Sequence, residues 1–422
     1  MKTTFNTLFL VLFCAVLQSC DRVDSFRIYM ANVPVYMNPD EFHQSTKVTT
    51  AQQMENPGKI CLYGDYIFIN EVGKGIHIVN NSNPSAPVFV SFIAILGNID
   101  MAIQDDILYA DNYQDLVMVD ISNPGQPVIK GRLEKTFQNV LPPTDNEYGI
   151  KWPLDETKIV VGWTLEKVKE DVEFRTMDYW WGRGGLFLSF DASASWGSRG
   201  SSPGVVGVNG SMARFSIYGS YLYVVDNGQL GIFHLNENGA VRTNTVWIST
   251  AVETLFAYND NLFMGMSNGM AIYSLEILSA PKHVSTIWHA WGCDPVVVSG
   301  NYAYLTLRSG NMCGQANSVL DVIDISNIAQ PRTVASYSMV APYGLGICGN
   351  TLFVCDDGLK VFDATNPIQV GRNQILHIAN IKGYDLIPYN NVLILIGDDG
   401  LYQYCYANIN NITQLSHIAV GK

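Results

Sequence analysis

The sequence predicts an all-β protein, a β-propeller in which four-stranded antiparallel blades surround a central channel. Three observations predict it: short apolar runs rich in Val, Ile, Tyr and Phe, tight-turn dipeptides between the runs, and a repeat of the whole pattern roughly every forty residues. The 422 residues are 48% hydrophobic and 15% charged, which suffices to bury a large core and excludes general disorder.

The repeat is clearest in the third apolar run of each unit. These runs end at residues 80, 120, 191, 234, 274, 324, 363 and 405, so successive ends are 40, 71, 43, 40, 50, 39 and 42 residues apart. Such a period indicates stacked units, none of which buries its apolar faces alone. The units begin near Lys59, Asp100, Gly149, Arg214, Thr254, Asp294, Gly344 and Asp385. We therefore expect eight blades, or seven if the weak third unit is not a blade.

Each unit contains the turns that a four-stranded antiparallel sheet requires. Dipeptides that accept the positive φ of tight hairpins stand between runs, at Asn227-Gly228, Asn268-Gly269, Asp357-Gly358 and Asp399-Gly400. Several third runs end in an aspartate that precedes an Asn/Pro corner, namely Asp120, Asp191, Asp324 and Asp363. An Asp side chain at a corner can accept a hydrogen bond from the backbone two residues on, so we assign these residues a structural capping role.

The first nineteen residues are typical of a lipoprotein signal peptide. An apolar run over 8–17 is too short to span a bilayer, and Leu17-Gln18-Ser19-Cys20 resembles the lipobox of bacterial lipoproteins. We therefore expect a lipidated Cys20 and a protein of the cell envelope, anchored in the outer membrane. Ordinary signal cleavage nearby is the alternative.

Residues 20–57 lack the repeat and contain three prolines, which indicates a lipidated tether and an irregular arm before the propeller at 58–422. The segment 33–37 is the best strand candidate in the arm, and it is expected to close the ring by joining the last blade.

The repeated runs also carry a family resemblance. LVMVDISNPGQPVIKG (116–131) resembles the LVIVD repeat of bacterial β-propeller proteins, and IHIVNNSNPSAPV, LDVIDISNIAQPRTV and LKVFDATNPIQVG follow the same pattern. The resemblance covers about residues 59–420, and with the lipobox the chain looks like the LVIVD-repeat lipoproteins of Bacteroidetes. Units that end in His234, Ser274 and Cys405 lack the final Asp. The resemblance implies a propeller on the cell envelope and supplies no catalytic motif.

Charge excludes some partners. Removal of residues 1–19 leaves 24 basic and 38 acidic side chains, a net charge of −14. Nucleic acid and anionic lipid both need clustered positive charge, so we expect no nucleic-acid partner and membrane attachment through the lipid anchor only.

Cysteine and histidine spacing gives no reason to expect a metal or a cofactor. No CxxC or Cys/His metal spacing occurs, and the seven histidines fall in different units. Cys293 and Cys313 flank one irregular segment and could form a disulfide in an oxidising compartment, or remain buried thiols. The GxGxxG at 344–349 and the GxSxG at 265–269 lie between strands, not before a helix, and are discarded.

Two groups of residues are candidate ligand-binding sites. Aligned at their first turns, the units place acidic residues at the start of inner strands, at Asp100, Glu253, Asp294 and Asp385, with Lys59 and Arg214 at matching positions. Inner strands face the channel, so these side chains could form a charged ring that binds a cation or a polar ligand. The alternative is a solvated rim of turn-favouring residues.

The second candidate is an insertion in the third unit, 164–186, which contains Tyr179, Trp180, Trp181 and Arg183. Tyr, Trp and Arg are enriched in binding hot spots, and flat aromatic rings suit sugars. Trp291, beside a second irregular region, adds another aromatic group. The alternative role is to cover an enlarged blade.

These observations favour a lipid-anchored, non-catalytic envelope propeller that binds a glycan or protein. One alternative is a glycan hydrolase or lyase that uses channel carboxylates, which would need two carboxyl groups roughly 5 to 9.5 Å apart. Another is a structural subunit of an envelope complex, which would expose an apolar patch.

Overall fold

The computed structural model describes residues 26–137, 140–171, 208–211, 213–226, 228–248, 252–288, 295–308 and 317–421. Within these residues, seven antiparallel blades of four strands each follow one another in chain order. The described residues include no helix that is long and apolar enough to cross a membrane.

Three elements precede the first blade: β1 (Phe26–Met37), the short helix α1 (Pro39–Ser45) and β2 (Lys47–Thr49). The first blade comprises β3 (Pro57–Tyr63), β4 (Tyr66–Glu71), β5 (Gly75–Asn80) and β6 (Val88–Ala94). The second comprises β7 (Met101–Gln104), β8 (Ile107–Asn112), β9 (Asp115–Asp120) and β10 (Val128–Leu133). Two strands follow it, β11 (Ile159–Asp171) and β12 (Val208–Asn209).

The third blade comprises β13 (Phe215–Tyr218), β14 (Tyr221–Asp226), β15 (Gln229–Asn236) and β16 (Gly239–Trp247). The fourth comprises β17 (Val252–Tyr258), β18 (Asn261–Met266), β19 (Gly269–Ser274) and β20 (Lys282–Trp288). The fifth comprises β21 (Val296–Ser299), β22 (Tyr302–Leu307), β23 (Val319–Asp324) and β24 (Arg332–Ser338).

The sixth blade comprises β25 (Pro342–Cys348), β26 (Thr351–Asp356), β27 (Leu359–Asp363) and β28 (Gln374–Ile378), with a 3-10 helix at Pro367–Arg372. The seventh comprises β29 (Gly383–Tyr389), β30 (Val392–Gly397), β31 (Gly400–Cys405) and β32 (Thr413–Ala419). The first strand of each blade is innermost and packs beside that of the next blade, and β3 packs against β30 to complete the ring.

The repeated apolar run follows from this geometry, because a blade is buried on both faces. In β9, Val117 and Val119 pack with the first blade, in a cluster that includes Phe68. Leu116 and Met118 point to the opposite face and pack with the third blade. Successive side chains of a strand alternate between faces, so a strand between two blades must be apolar at every position.

The third sequence unit is not a blade, so the preferred count of eight is wrong and the alternative of seven is correct. An earlier apolar run of the unit, at 159–163, belongs to β11, which pairs with β1 from Phe26↔Asp171 to Met37↔Ile159, with one bulge after Val35. This earlier run does form a strand, but its partner comes from the N-terminal arm. The run of this unit that ends at residue 191 lies outside the described residues. Of the predicted insertion, 164–171 lie in β11 and 172–186 lie outside the described residues.

The N-terminal arm does not complete the last blade as expected. The segment 33–37 is indeed extended, as part of β1, but β2 adds to the outer edge of the first blade by pairing with β6. The ring closes by side-chain contacts between its first and last blades. The Tyr384 hydroxyl donates a hydrogen bond to the Pro57 carbonyl, and the Asn81 and Gln403 amides exchange two hydrogen bonds of 2.9 and 2.7 Å.

The short strand β12 pairs with the channel side of β3, so the first sheet has six strands in the order β12-β3-β4-β5-β6-β2. The residues around β12 also contact other inner strands. Asn209 Nδ2 donates to the Met101 carbonyl at 3.0 Å, and the Leu345 N–H donates to Ser211 Oγ at 2.8 Å. Segment 208–211 therefore lies against the inner strands of blades 1, 2 and 6, inside the channel.

Helix α1 is fixed to the end of the propeller by one buried aromatic side chain and one arginine. Phe42 is fully buried and packs with Tyr113 and Ile159. Arg132 donates to Thr46 Oγ1, just after the helix, and to Asp115 Oδ2, both at 2.8 Å. The arm is thereby attached to the second blade.

The predicted capping role of the third-strand aspartates is confirmed wherever the structure describes them. Asp120, Asp324 and Asp363 each accept a hydrogen bond from the backbone N–H two residues on, at 3.0, 2.9 and 2.8 Å. Asp191 lies outside the described residues. The positive φ expected of the turn glycines is found at Gly228, Gly358 and Gly400 but not at Gly269.

Candidate functional site

A cleft of about 760 Å³ opens at the end of the ring where the inner strands begin. Its walls come from the first, second, sixth and seventh blades, and the connection between the second and third blades contributes a further wall. The lining residues are Asn56, Pro57, Val72, Gly73, Lys74, Gly97, Ile99, Tyr113, Leu141, Pro142, Pro143, Val161, Gly162, Tyr343, Tyr384 and Asp398. Residues as far apart in the chain as Asn56 and Asp398 thus line the same cleft.

Three tyrosine rings contribute to the cleft wall, and two of their hydroxyl groups are already engaged. The Tyr113 hydroxyl donates to the Val161 carbonyl at 3.2 Å, and that of Tyr384 donates to Pro57. Burial raises the pKa of Tyr113 to about 12 and that of Tyr384 well above its usual value, so both are neutral at physiological pH. The Arg308 guanidinium lies 3.9 Å from the centre of the Tyr343 ring. These contacts fix the ring orientations before any ligand binds.

The mouth of the cleft carries charged and polar groups. Lys74 is exposed and pairs with Glu55 at 2.5 Å, and Asp398 lies in the turn between β30 and β31. Asn56 adds an amide. An exposed pair such as Lys74–Glu55 contributes little to stability, so Lys74 can exchange its partner for a ligand at small cost. Apolar and aromatic walls with a few polar groups are typical of ligand pockets.

Hydrogen bonds from the β-strand ends hold the cleft residues in place. Glu71, the last residue of β4, accepts hydrogen bonds from the N–H groups of Glu55 and Asn56 at 3.0 and 2.6 Å, and one nitrogen of His77 lies 2.9 Å from its carboxylate. Burial raises the pKa of Glu71, but these hydrogen bonds outweigh it and keep the pKa below its usual range. The loop that carries Asn56 is therefore held by a buried carboxylate.

In two other blades, too, a carboxylate at or near the end of the second strand accepts hydrogen bonds from two backbone N–H groups. Asp111, in β8, accepts hydrogen bonds from the N–H groups of Ile99 and Asp100 at 2.8 and 2.9 Å, while burial raises its pKa to about 6. Asp356, at the end of β26, accepts from Val340 and Ala341. These carboxylates were not predicted from the sequence, although an acidic residue does recur near the end of the second run, in FINE, YADN and FVCD.

Four of the six residues predicted to form a charged ring lie together at the channel, namely Lys59, Asp100, Arg214 and Asp385, and the Lys59–Asp100 pair among them is buried. Lys59 Nζ lies 2.7 Å from Asp100 Oδ2, and the two residues are 6% and 2% exposed. The Arg214 N–H donates to the same oxygen at 2.5 Å, and the Met101 N–H donates to Oδ1 at 2.7 Å. Burial lowers the pKa of Lys59, and Asp100 opposes that effect. Asp100 therefore links the first three blades.

Asp385 lies near this pair and is fully buried. Its Oδ1 accepts from the Leu386 N–H at 2.7 Å, and its Oδ2 has no hydrogen-bond partner among the described residues. Burial raises its pKa well above the usual range, despite the opposing charge of Lys59. Asp385 is therefore held protonated over a pH range where an exposed aspartate ionises.

The structure thus brings Asp100, Asp385, Lys59 and Arg214 together and closes Asp100 and Asp385 to solvent, so neither lines the cleft. Glu253 is half-buried in β17. The remaining candidates lie outside the described residues, and their roles stay predictions: Cys20, Tyr179, Trp180, Trp181, Arg183, Trp291 and Asp294.

Metal-ligand and disulfide geometry can be assessed only in part. No group of three His, Cys, Asp or Glu side chains in the described ranges could hold a metal ion. Cys61, Cys348, Cys355 and Cys405 are free thiols, and Cys61 and Cys355 are buried. The proposed partners Cys293 and Cys313 are not among the described residues, so their pairing stays a prediction.

Comparison with known proteins identifies the repeat. The pattern of the LVIVD repeat matches residues 57–94, 100–134, 209–233 and 293–339, which fall in the first, second, third and fifth blades. No curated protein sequence is significantly similar to the chain.

Comparison with solved structures gives matches that include the following three proteins. A protein from Lactobacillus plantarum is 12% identical with a TM-score of 0.54, covering 86% of this chain and 96% of that one. PorZ, a surface component of the type-IX secretion system of Porphyromonas gingivalis, is 13% identical with a TM-score of 0.47, covering 89% of this chain and 39% of its own. Sqt1 of Saccharomyces cerevisiae is 9% identical with a TM-score of 0.49, covering 92% and 89%.

Identities this low bear on the fold alone, and the first of these structures supports it. Together with the sheet order and the repeat matches, it shows that the chain is a β-propeller of seven four-stranded blades that carries LVIVD repeats.

Proposed function

We propose that this propeller is a lipid-anchored, non-catalytic protein of the cell envelope, held in the outer membrane, that binds a glycan or protein ligand in the cleft. The observation that carries the proposal is the cleft itself, about 760 Å³ in volume, with Tyr113, Tyr343 and Tyr384 in its walls. Ligand pockets have volumes of about 300 to 1,000 Å³, so the cleft is large enough for two or three sugar rings or a short peptide.

The chemistry of the walls favours a ligand with flat apolar faces and polar edges. Fixed tyrosine rings offer stacking surfaces at low entropic cost. Lys74, Asp398 and Asn56 offer charge and hydrogen bonds at the mouth. A glycan presents both kinds of surface, so it is the ligand class to test first, and a peptide segment is the second.

We propose binding without catalysis because the described carboxyl groups in and near the cleft do not form the pair that hydrolysis requires. Of the cleft-lining residues that the structure describes, one, Asp398, carries a carboxylate. Glycoside hydrolysis commonly requires a pair of carboxyl groups across the bond. Asp100 and Asp385 would be the nearest candidates for such a pair by sequence, but both are buried and Asp100 is occupied by Lys59.

The lipid anchor is supported by sequence: by the lipobox that ends at Cys20 and by the resemblance to LVIVD-repeat lipoproteins of Bacteroidetes. It is tested by metabolic labelling with an alkyne fatty acid in the native host. We expect label in the wild-type chain and none in Cys20→Ala, with envelope fractionation by sucrose gradient to assign the membrane. Equal labelling of both chains would exclude this site of lipidation.

Ligand binding is tested with a glycan array and isothermal titration. We expect Lys74→Ala/Asp398→Asn to weaken binding by tenfold or more, about 1.4 kcal/mol, because it removes both charges at the mouth. The matched control is Lys282→Ala/Asp65→Asn, which removes the same charges from exposed positions at the other end of the ring. A second pair of variants tests the aromatic wall. Tyr343→Ala removes a partly buried tyrosine ring from the cleft, and Tyr302→Ala, the control, removes a partly buried tyrosine ring outside it.

The outcomes separate the candidate functions. Loss of glycan binding in the cleft variants alone supports the proposal, whereas equal loss in the control variants contradicts it. Release of shortened glycan by the wild-type chain would establish an enzyme. Absence of glycan binding, with a protein crosslinked through the cleft in intact envelopes, would identify a protein ligand.

A further inference from the structure

The ribbon formed by β1 and β11 has one face that is unusually apolar for a surface. Phe26, Ile28 and Met30 alternate along β1 and are 48%, 50% and 39% exposed. Their cross-strand partners are Asp171, Lys169 and Lys167, so two exposed lysines share this face with the three apolar side chains. We call it the outward face.

The other face of the same ribbon is covered at Ala31 and Val168, whereas the Arg27 and Glu170 side chains near its end are 64% and 38% exposed. Ala31 is fully buried and Val168 is 9% exposed. Arg27 and Glu170 form an ion pair of 2.5 Å on that side, and the Tyr29 hydroxyl donates to Glu170 at 3.2 Å. The ribbon is therefore attached near Ala31, and at its free end the outward face is the one that exposes apolar side chains to a partner.

We propose that the outward face rests on the lipid bilayer, with Phe26, Ile28 and Met30 at the level of the headgroups. Aromatic and aliphatic side chains flanked by lysine are the combination that suits a membrane interface, because the lysine stem lies in the apolar layer and the ammonium reaches the phosphates. Lys169 lies beside these apolar side chains, with Nζ 4.0 Å from the centre of the Phe26 ring.

The length of chain before the ribbon supports this partner over others, and this step rests on the proposed lipid anchor. Six residue steps separate Cys20 from Phe26. A fully extended chain spans about 3.4 Å per residue, so the start of β1 stays within about 20 Å of the lipidated residue. The ribbon end that exposes its apolar face is thus the end that the anchor holds closest to the bilayer.

Local charge is also suitable, although the whole chain is acidic. Lys167 and Lys169 face outward, and Glu170 on the opposite face is neutralised by Arg27. Screening limits the repulsion from the rest of the protein to about 8 to 10 Å at physiological ionic strength. Anionic headgroups therefore meet the two lysines first.

This contact would orient the propeller. β1 continues into α1, which Arg132 and Phe42 fix to the second blade. A ribbon resting on the membrane therefore sets the direction of the cleft, whereas a tether alone would leave the propeller free to rotate.

The test uses the full lipidated chain on vesicles of phosphatidylethanolamine and phosphatidylglycerol in which part of the lipid is brominated in its acyl chains. A reporter is introduced by Ile28→Trp, and the control reporter by Ile277→Trp, which is 64% exposed in the loop between β19 and β20. We expect the added fluorescence of the Ile28→Trp chain to fall about twofold, since a side chain at the boundary between headgroups and acyl chains comes within reach of the bromine atoms. Met30→Trp serves as a second reporter if Ile28→Trp alters the melting temperature.

Flotation of the vesicles separates the two possible failures. A chain that floats but shows equal quenching at positions 28 and 277 overturns the membrane contact and leaves the anchor intact. A chain that does not float overturns both, because nothing then holds the ribbon within reach of a bilayer. Lys167→Glu/Lys169→Glu should also reduce the quenching at position 28, and unchanged quenching would contradict the role of charge in this contact.

Discussion

The buried ion pair between Lys59 and Asp100 is the feature whose removal should cost most. Both side chains are nearly inaccessible, and Asp100 also accepts two backbone hydrogen bonds, one of them from the third blade. Lys59→Met keeps the volume of the lysine stem but leaves the Asp100 carboxylate buried without its cation. Removing one member of a buried pair typically costs about 3 to 5 kcal/mol, so we expect a loss of that size in the free energy of unfolding.

Removal of the other member of the pair, in Asp100→Asn, should make the free energy of unfolding depend on pH. In Asp100→Asn the carboxylate that raises the pKa of Lys59 is gone, while burial still lowers that pKa. The folded state then binds its proton more weakly than the unfolded state, so stability should rise with pH through the folded pKa and level off above about 10.4, the value for an unfolded lysine. Asp100→Asn is therefore expected to be less destabilised at pH 9 than at pH 6.

Urea unfolding followed by tryptophan fluorescence measures both effects. The double variant Lys59→Met/Asp100→Asn should recover part of the loss caused by Lys59→Met, because no unpaired charge remains. Lys282→Met, at an exposed position, is the control and should change stability by less than about 0.5 kcal/mol. A loss below about 1 kcal/mol for Lys59→Met, or a double variant as unstable as the sum of its parts, would refute the argument.

Four further predictions concern other buried groups. Asp385→Asn should flatten the pH dependence of unfolding above about pH 4: the folded pKa is raised, so wild-type stability falls as pH rises from the unfolded value towards the folded one. Glu71→Gln should cost about 2 kcal/mol in urea and weaken ligand binding, because Asn56 loses part of its support. Gly400→Ala should lower stability by at least about 2 kcal/mol, since φ is 140° and a Cβ would overlap the Ile418 carbonyl, while Gly149→Ala, in open space, should be nearly neutral. Gln403→Ala should cost about 1 to 3 kcal/mol, and a double-mutant cycle with Asn81→Ala should show that the two changes are not additive.

The blades could be predicted from sequence because their information is local. A strand between two blades is apolar on both faces, as Leu116 to Val119 show, and the corner residues follow at fixed offsets. Each blade is also a continuous stretch of chain. The repeat period therefore reports the architecture directly.

The number of blades was harder to predict, because a sequence that forms a strand does not indicate which other strand it pairs with. Residues 159–163 have the composition of a blade strand, yet they pair with 34–37 from the arm. A pairing across more than a hundred residues depends on contacts that periodicity does not record. The same holds for β12, which pairs with β3 inside the channel across more than a hundred residues of chain.

The location of the cleft follows from how the ring closes. Each blade is complete in itself, so the first and last blades meet without sharing a strand, and their junction depends on side chains such as Tyr384 against Pro57. Both residues also line the cleft, with Asn56 on one side of the junction and Asp398 on the other. A ligand that spans the cleft would therefore bridge the junction and add contacts where the ring has no strand exchange. Because a ligand that binds only the folded state stabilises it by about 2.7 kcal/mol at a hundred times its Kd, binding and closure of the ring should be thermodynamically coupled.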